Sequence, residues 1–139
     1  MRNIDDLVDD IAREEGWRDR VYLCSAGKET IGFGFLISEL NLTKEEGMMI
    51  LRRYVQEKLD NVSKSQSWFN NLPPKVQDVF INMVFQMGLT GVLRFKKMVS
   101  NMKDSNWKAA ADEMLDSKWA KKDSPARAKR LAQIVKEHG

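Results

Sequence analysis

The chain has 139 residues, 42% hydrophobic and 31% charged, with a formal net charge of +3. That length supports one modest domain or two small lobes sharing a core, and no run approaches the roughly 18 apolar residues that span a bilayer. One cysteine excludes an intramolecular disulfide and a thiolate zinc site. The single histidine, His138, sits one residue from the C-terminus, a poor place for a triad base or a metal ligand. Acid–base chemistry therefore falls to Asp, Glu, Cys, Lys or Tyr, and neither a metal nor a cofactor is expected. Mild basicity serves solubility as readily as attraction to a polyanion.

The opening MRNIDDLVDD is acidic and lacks both a basic segment and an apolar core, so it does not read as a signal peptide. Synthesis in a cytoplasm is expected, with assistance for any later membrane crossing. Residues 3–15 form the first predicted helix. Asn3 can cap it, Asp5 and Asp6 suit its positive end, and Ile4, Leu7, Val8 and Ile11 follow the spacing of one buried face. Gly16 stops it. Glu15 then lies in the last turn, where the helix dipole disfavours the ionised carboxylate. A carboxyl kept protonated is what a general acid requires, although position alone favours a solvated helix-end residue.

Period-two alternation follows. Val21–Leu23 and Glu29–Leu36 read as strands around a Cys24–Lys28 turn, with Gly27 able to take positive φ. Thr30, Gly32 and Gly34 fall on one bare face, with Ile31, Phe33 and Phe35 on an apolar face directed to a core. Cys24 reads either as a small buried hydrophobe or as a partial thiolate that positions water. Without a nearby histidine it is no peptidase nucleophile.

The remainder reads as helix. Residues 43–64 form a long one with a Thr43/Glu46 capping box and a Leu51, Val55, Leu59, Val62 stripe; 63–71 reads as a loop. Pro74 opens a nearly all-apolar central helix that Gly88 ends, with Asp78, Asn82 and Gln86 as its polar stripe. Structural pairing is expected for Asn82, while Gln86 is open to pairing or to a ligand. Helices near 92–102 and 105–118 follow, then one opened by Ser124-Pro125. The basic cluster Lys121, Lys122, Arg127, Lys129 and Arg130 lacks interleaved aromatics, so no nucleic-acid partner is expected. The eight methionines read mostly as core filler.

Glu15, Cys24 and Thr30 stand as Glu, eight residues, Cys, five residues, Thr. With Val21-Tyr22, Thr30-Ile-Gly-Phe-Gly34, Ile81-Asn-Met-Val-Phe-Gln-Met-Gly88, Thr90-Gly-Val92, Trp119 and Ser124–Arg130, the chain resembles the T-even phage lysozymes and related endolysins of glycoside hydrolase family 24. The likeness covers both ends and most of the length. It implies an α+β, mostly helical, two-lobed lysozyme-like fold forming one domain over 1–139. A small N-terminal lobe with a β-hairpin sheet (about 12–60) would lead through the connecting helix 43–64 to a helical C-terminal lobe (about 65–139) that also takes the first helix 3–15, with a cleft between the lobes.

The resemblance further implies an endolysin, a muramidase cutting the β-1,4 bond between N-acetylmuramic acid and N-acetylglucosamine. Glu15 would be the general acid, and Cys24 and Thr30 would hold and activate a water on the opposite face of the sugar, giving inversion. Leu36, Phe85 and Gln86 would contact substrate, and Arg127 would support the acid. Implied partners are peptidoglycan glycan strands and a holin for export. The protein would be a monomer without stable membrane association, made in the host cytoplasm and reaching the cell wall after membrane permeabilisation. The alternatives are a weakly active peptidoglycan-binding relative and a tail-associated, wall-penetrating lysozyme. Departures are Cys24 where the T-even form has Asp, Phe35 for a histidine, Met98 and Glu113 for sugar-contacting Ser and Asn, and a shorter segment linking the lobes.

Overall fold

The computed structural model describes residues 3–138, so Met1 and Arg2 of the acidic opening fall outside it, with Gly139. In order come α1 (Ile4–Glu15), β1 (Arg18–Leu23), β2 (Glu29–Gly32), β3 (Phe35–Leu36) and α2 (Lys44–Ser65). A 3-10 turn (Ser67–Asn71) leads to α3 (Pro74–Leu93), α4 (Lys96–Lys103) and α5 (Trp107–Leu115), and a π-helical turn (Trp119–Asp123) to α6 (Pro125–Lys136). The fold is α+β and mostly helical, with an antiparallel sheet β1-β2-β3 near the N-terminus. Two compact units divide the chain, Met1–Gly47 and Met48–Gly139, the boundary lying early in α2.

In the first unit α1 starts and stops as its sequence dictates. Asn3 accepts the Asp5 N–H at 3.0 Å, and Gly16, at φ 69°, returns its N–H to Ala12. The apolar stripe expected to be buried is not: α1 buries no residue, and Ile4 stays 68% exposed. The reason is size. Three short strands and a helix enclose no apolar core, and only Thr30 and Gly32 are buried among the described residues of this unit.

The continuous strand expected over Glu29–Leu36 is instead two. β2 stops at Gly32, the chain turns through Phe33-Gly34, and β3 returns antiparallel with Thr30 opposite Leu36 and Ile31 opposite Phe35. Gly32 at φ 72° and Gly34 at φ 79° take the left-handed conformation that makes this turn. The alternation therefore breaks, and Phe33 and Phe35 go to no core.

The second unit holds the core, built from Phe80, Met83, Met98, Met102, Met114 and Leu131, each essentially inaccessible. Four of these are methionines, in keeping with their role as filler. α2 opens on the reciprocal box: Thr43 N–H to Glu46 Oε1 at 2.9 Å and Glu46 N–H to Thr43 Oγ1 at 3.1 Å. The 63–71 stretch is not loop throughout: α2 runs to Ser65, and a 3-10 turn buries Phe69. α3 breaks at Gly88 (φ 76°) and resumes to Leu93. Among the described residues it is also the one helix long and apolar enough to cross a membrane. Val76, Val79, Phe80, Met83 and Val84 are nevertheless buried in the core.

Candidate active site

Sheet register brings the first group of candidate residues together. Tyr22 pairs with Thr30, which pairs with Leu36 across the next ladder. Between Arg18 and Tyr22 the register slips, leaving Asp19, Arg20 and Val21 opposite Ile31 alone. Cys24, two past Tyr22, shares the face of Thr30. The intervening turn is a three-residue loop closed by Cys24 N–H to Lys28 O at 3.0 Å and Gly27 N–H to Cys24 O at 2.8 Å. Gly27, at φ 74°, takes the left-handed third position such a loop demands.

This turn works on the thiol. The backbone N–H of Lys28 foremost, then that of Ala26, holds the half-buried Cys24 thiol below its ordinary range, against the opposing pull of burial. The Thr30 hydroxyl adds to this only when it turns toward the sulfur, because its single proton otherwise bonds Lys28 O at 2.9 Å. In that bonded state Thr30 Oγ1 is an acceptor toward anything beside Cys24. Thr30 is 2% exposed, so its rotamer is fixed by packing as well. Alkylation by iodoacetamide should accordingly titrate below the ~8.5 of free cysteine, the rate rising with pH as thiolate forms. A midpoint at or above the free value would contradict the amide contacts.

Glu15 reaches the same sheet from the end of α1, at the β2–β3 turn. A methyl group placed on Gly34 would stand 2.5 Å from Glu15 Oε2 and 3.1 Å from its Cδ. The carboxyl thus lies against bare backbone, two residues before Leu36. Glu15, Cys24, Thr30 and Leu36 are brought onto one small sheet and its adjoining helix end. A carboxyl that can donate a proton and a thiol–hydroxyl pair that can hold a water are the parts of an acid–base hydrolytic site.

Phe85, Gln86 and Arg127 belong to the second unit. Phe85 is exposed, with Lys58 Nζ 5.8 Å from its ring centroid. It borders a groove of about 410 Å³ with Leu51, Val55, Leu59, Asn82 and Arg127. Gln86 is committed to structure: it accepts from Trp119 Nε1 at 2.9 Å and donates to Ser124 Oγ at 2.6 Å. That second bond explains why Ser124 makes no capping contact at the start of α6. Asn82 is paired as expected, holding Arg127 by Nε at 2.8 Å and by a terminal nitrogen at 2.5 Å. Asn82→Ala should leave the guanidinium only its bond to the residue 82 carbonyl and cost about 1–2 kcal/mol; an unchanged urea midpoint would show the side-chain clamp to be idle.

A larger pocket in this unit, about 710 Å³, has Phe95, Met98 and Trp119 among its apolar lining and Lys97, Glu113 and Lys118 among its charged lining. Met98 and Glu113 are thus neighbours of one pocket. Sequence reasoning missed the Lys28 backbone as a partner of both Cys24 and Thr30. The available signal was Gly27 at the third position of a three-residue turn.

The chain matches the phage lysozyme family over residues 12–136. It belongs to that family. It is 27% identical to the probable T4-type lysozyme 2 of Dictyostelium discoideum, the match covering 94% of each chain. It is 26% identical to the probable T4-type lysozyme 1 of the same organism, over 95% of this chain and 94% of that one. It is also 27% identical to the pre-baseplate central spike protein Gp5 of Enterobacteria phage T4, over 93% of this chain but only 27% of that protein. As a phage lysozyme family member, the protein is a glycoside hydrolase of the lysozyme type whose substrate is peptidoglycan. The family match spans all seven candidate residues, from Glu15 to Arg127.

Proposed function

We propose that the protein is an endolysin that hydrolyses the β-1,4 bond between N-acetylmuramic acid and N-acetylglucosamine with inversion. The observation that carries this reading is the three-stranded sheet, whose β2–β3 turn meets Glu15 at Gly34 and whose β1–β2 hairpin sets Cys24 beside Thr30. Glu15 donates its proton to the glycosidic oxygen as the C1–O bond breaks. A water held by Cys24 and Thr30 forms the new C1–O bond from the opposite face and gives its proton to the Cys24 thiolate. Such an arrangement needs the water-activating group roughly 6.5–9.5 Å from the acid. Leu36, paired with Thr30 across the sheet, contacts the glycan beside these groups.

In this reading the protein acts as a monomer, is made in the host cytoplasm and reaches the wall once a holin opens the membrane. Expression should lyse cells only when a holin is co-expressed. Proton NMR of a digest should show the α-anomer first; the β-anomer appearing first would exclude inversion. Cys24→Asp should retain wall clearing, because a carboxylate is ionised at neutral pH and accepts a hydrogen bond from the water, whereas alkylated Cys24 should block it. Full activity after alkylation would show that the thiol does not face substrate.

A second reading is a wall-penetrating lysozyme carried on a virion, favoured by the likeness to a phage spike protein. Immunodetection in purified virions rather than in free lysate would select it. A weakly active wall-binding relative would be revealed by sedimentation with sacculi in the absence of clearing.

A further inference from the structure

We propose that Trp17, Phe33 and Phe35 form a stacking platform for one pyranose ring of the glycan, beside the carboxyl of Glu15. The inference rests on the muramidase reading and extends it to residues to which that reading gives no role.

The three rings are contiguous. Trp17 and Phe33 lie 4.9 Å apart at 53°, and Phe33 and Phe35 lie 6.4 Å apart edge to face. They are also uncovered: Trp17 is 62% exposed, Phe33 37% and Phe35 46%. A lone exposed aromatic is ordinary on a protein surface; three in contact give one continuous aromatic face.

Its place identifies the occupant. Trp17 follows Glu15 by two residues, and both lie against the same β2–β3 turn. The Glu15 carboxyl sits over Gly34, while a methyl on Gly32 would meet the Phe35 ring at 2.9 Å and Trp17 Cζ3 at 3.4 Å. Two side-chain-free positions thus let the acid and the rings crowd onto one short stretch of backbone. The rings therefore flank the acid on the same turn, where a sugar adjoining the protonated bond can reach them.

The chemistry agrees. A pyranose presents a face of weakly positive C–H groups, and an aromatic ring presents a negative π-face of similar breadth. The indole also keeps a donor in reserve. Among the described residues Trp17 Nε1, like that of Trp107, has no protein hydrogen-bond partner, whereas the indoles of Trp68 and Trp119 bond Gln66 and Gln86. A sugar hydroxyl or acetamido oxygen at the ring edge would complete it.

The test is a titration of the full chain with tetra-N-acetylchitotetraose, followed by ¹H–¹⁵N NMR of the indole N–H signals. Trp17 is assigned by its loss in Trp17→Phe. The Trp17 signal should shift saturably. In parallel, kinetics on solubilised glycan strands should show KM raised roughly tenfold in Trp17→Leu, which keeps bulk but no π-face, with Trp17→Phe restoring most of it. The kcat should stay within about twofold, since the ring touches no reacting atom.

A static Trp17 signal would overturn the platform, as would a wild-type KM in Trp17→Leu or a fall in kcat alone. Concentration-dependent self-association abolished by Trp17→Leu would also overturn it, by assigning the face to a second copy. Should Trp17→Leu fail to fold, the wild-type titration still decides. Glu15→Gln separates this proposal from the reading beneath it: clearing that survives that change sinks the muramidase mechanism, whereas lost clearing with an unmoved Trp17 signal sinks the platform alone.

Discussion

Glu15→Gln is expected to lower the clearing of purified cell walls by about 10²–10⁴-fold while leaving the unfolding transition in place. The substitution keeps size and shape but removes the only proton a carboxyl at this position can deliver. Glu15 sits at the C-terminal end of α1, is exposed, and forms no salt bridge among the described residues. Little stability therefore depends on it, and a loss of turnover would report chemistry. Thermal unfolding measured beside the clearing rate checks this; a joint fall in both would point to a structural role.

The second large effect is expected at Gly34, a residue with no chemistry of its own. Gly34→Ala should lower clearing by roughly 10²-fold, because a misplacement of about 1 Å at a catalytic group has that consequence. Its new methyl would stand 2.5 Å from Glu15 Oε2, so the carboxyl must swing away. The backbone adds to this: at φ 79° an alanine carries a left-handed penalty of about 1–2 kcal/mol. Gly88→Ala, in the helical unit, serves as the control. It carries a comparable strain at φ 76°, but its methyl meets nothing within 4 Å. If both variants lose stability alike and only Gly34→Ala loses most of its turnover, contact with Glu15 is the cause. Equal activity in the two would show that the acid does not depend on that bare position.

The two halves of the chain differed in how much their sequence disclosed. Helix boundaries were legible because caps act locally. Asn3, the Thr43/Glu46 box, Pro74 and Gly88 each work within a few residues, and each sits where its spacing required. Burial in α1 was not legible, since an apolar stripe states what a helix can bury and not what its neighbours provide. The Glu29–Leu36 run misled for a related reason. Thr30, Gly32 and Gly34 alternate as a strand would, but two glycines at positive φ turn the chain instead.

For the site, the spacing of Glu15, Cys24 and Thr30 could be read directly, whereas the environment of the thiol could not. It depends on backbone groups of Ala26 and Lys28, which carry no signature in their side chains. Gln86 shows the opposite limit. Its position on the polar stripe of α3 left two roles open, and only the bonds to Trp119 and Ser124 reveal that both ends of its amide are occupied.

The most direct test is to digest purified sacculi with wild-type protein and with Glu15→Gln, reduce the new ends with borohydride and identify the reduced sugar. Muramitol ends are expected from the wild type and none above the blank from Glu15→Gln. Glucosaminitol ends, or muramitol released equally by both proteins, would contradict muramidase action through Glu15.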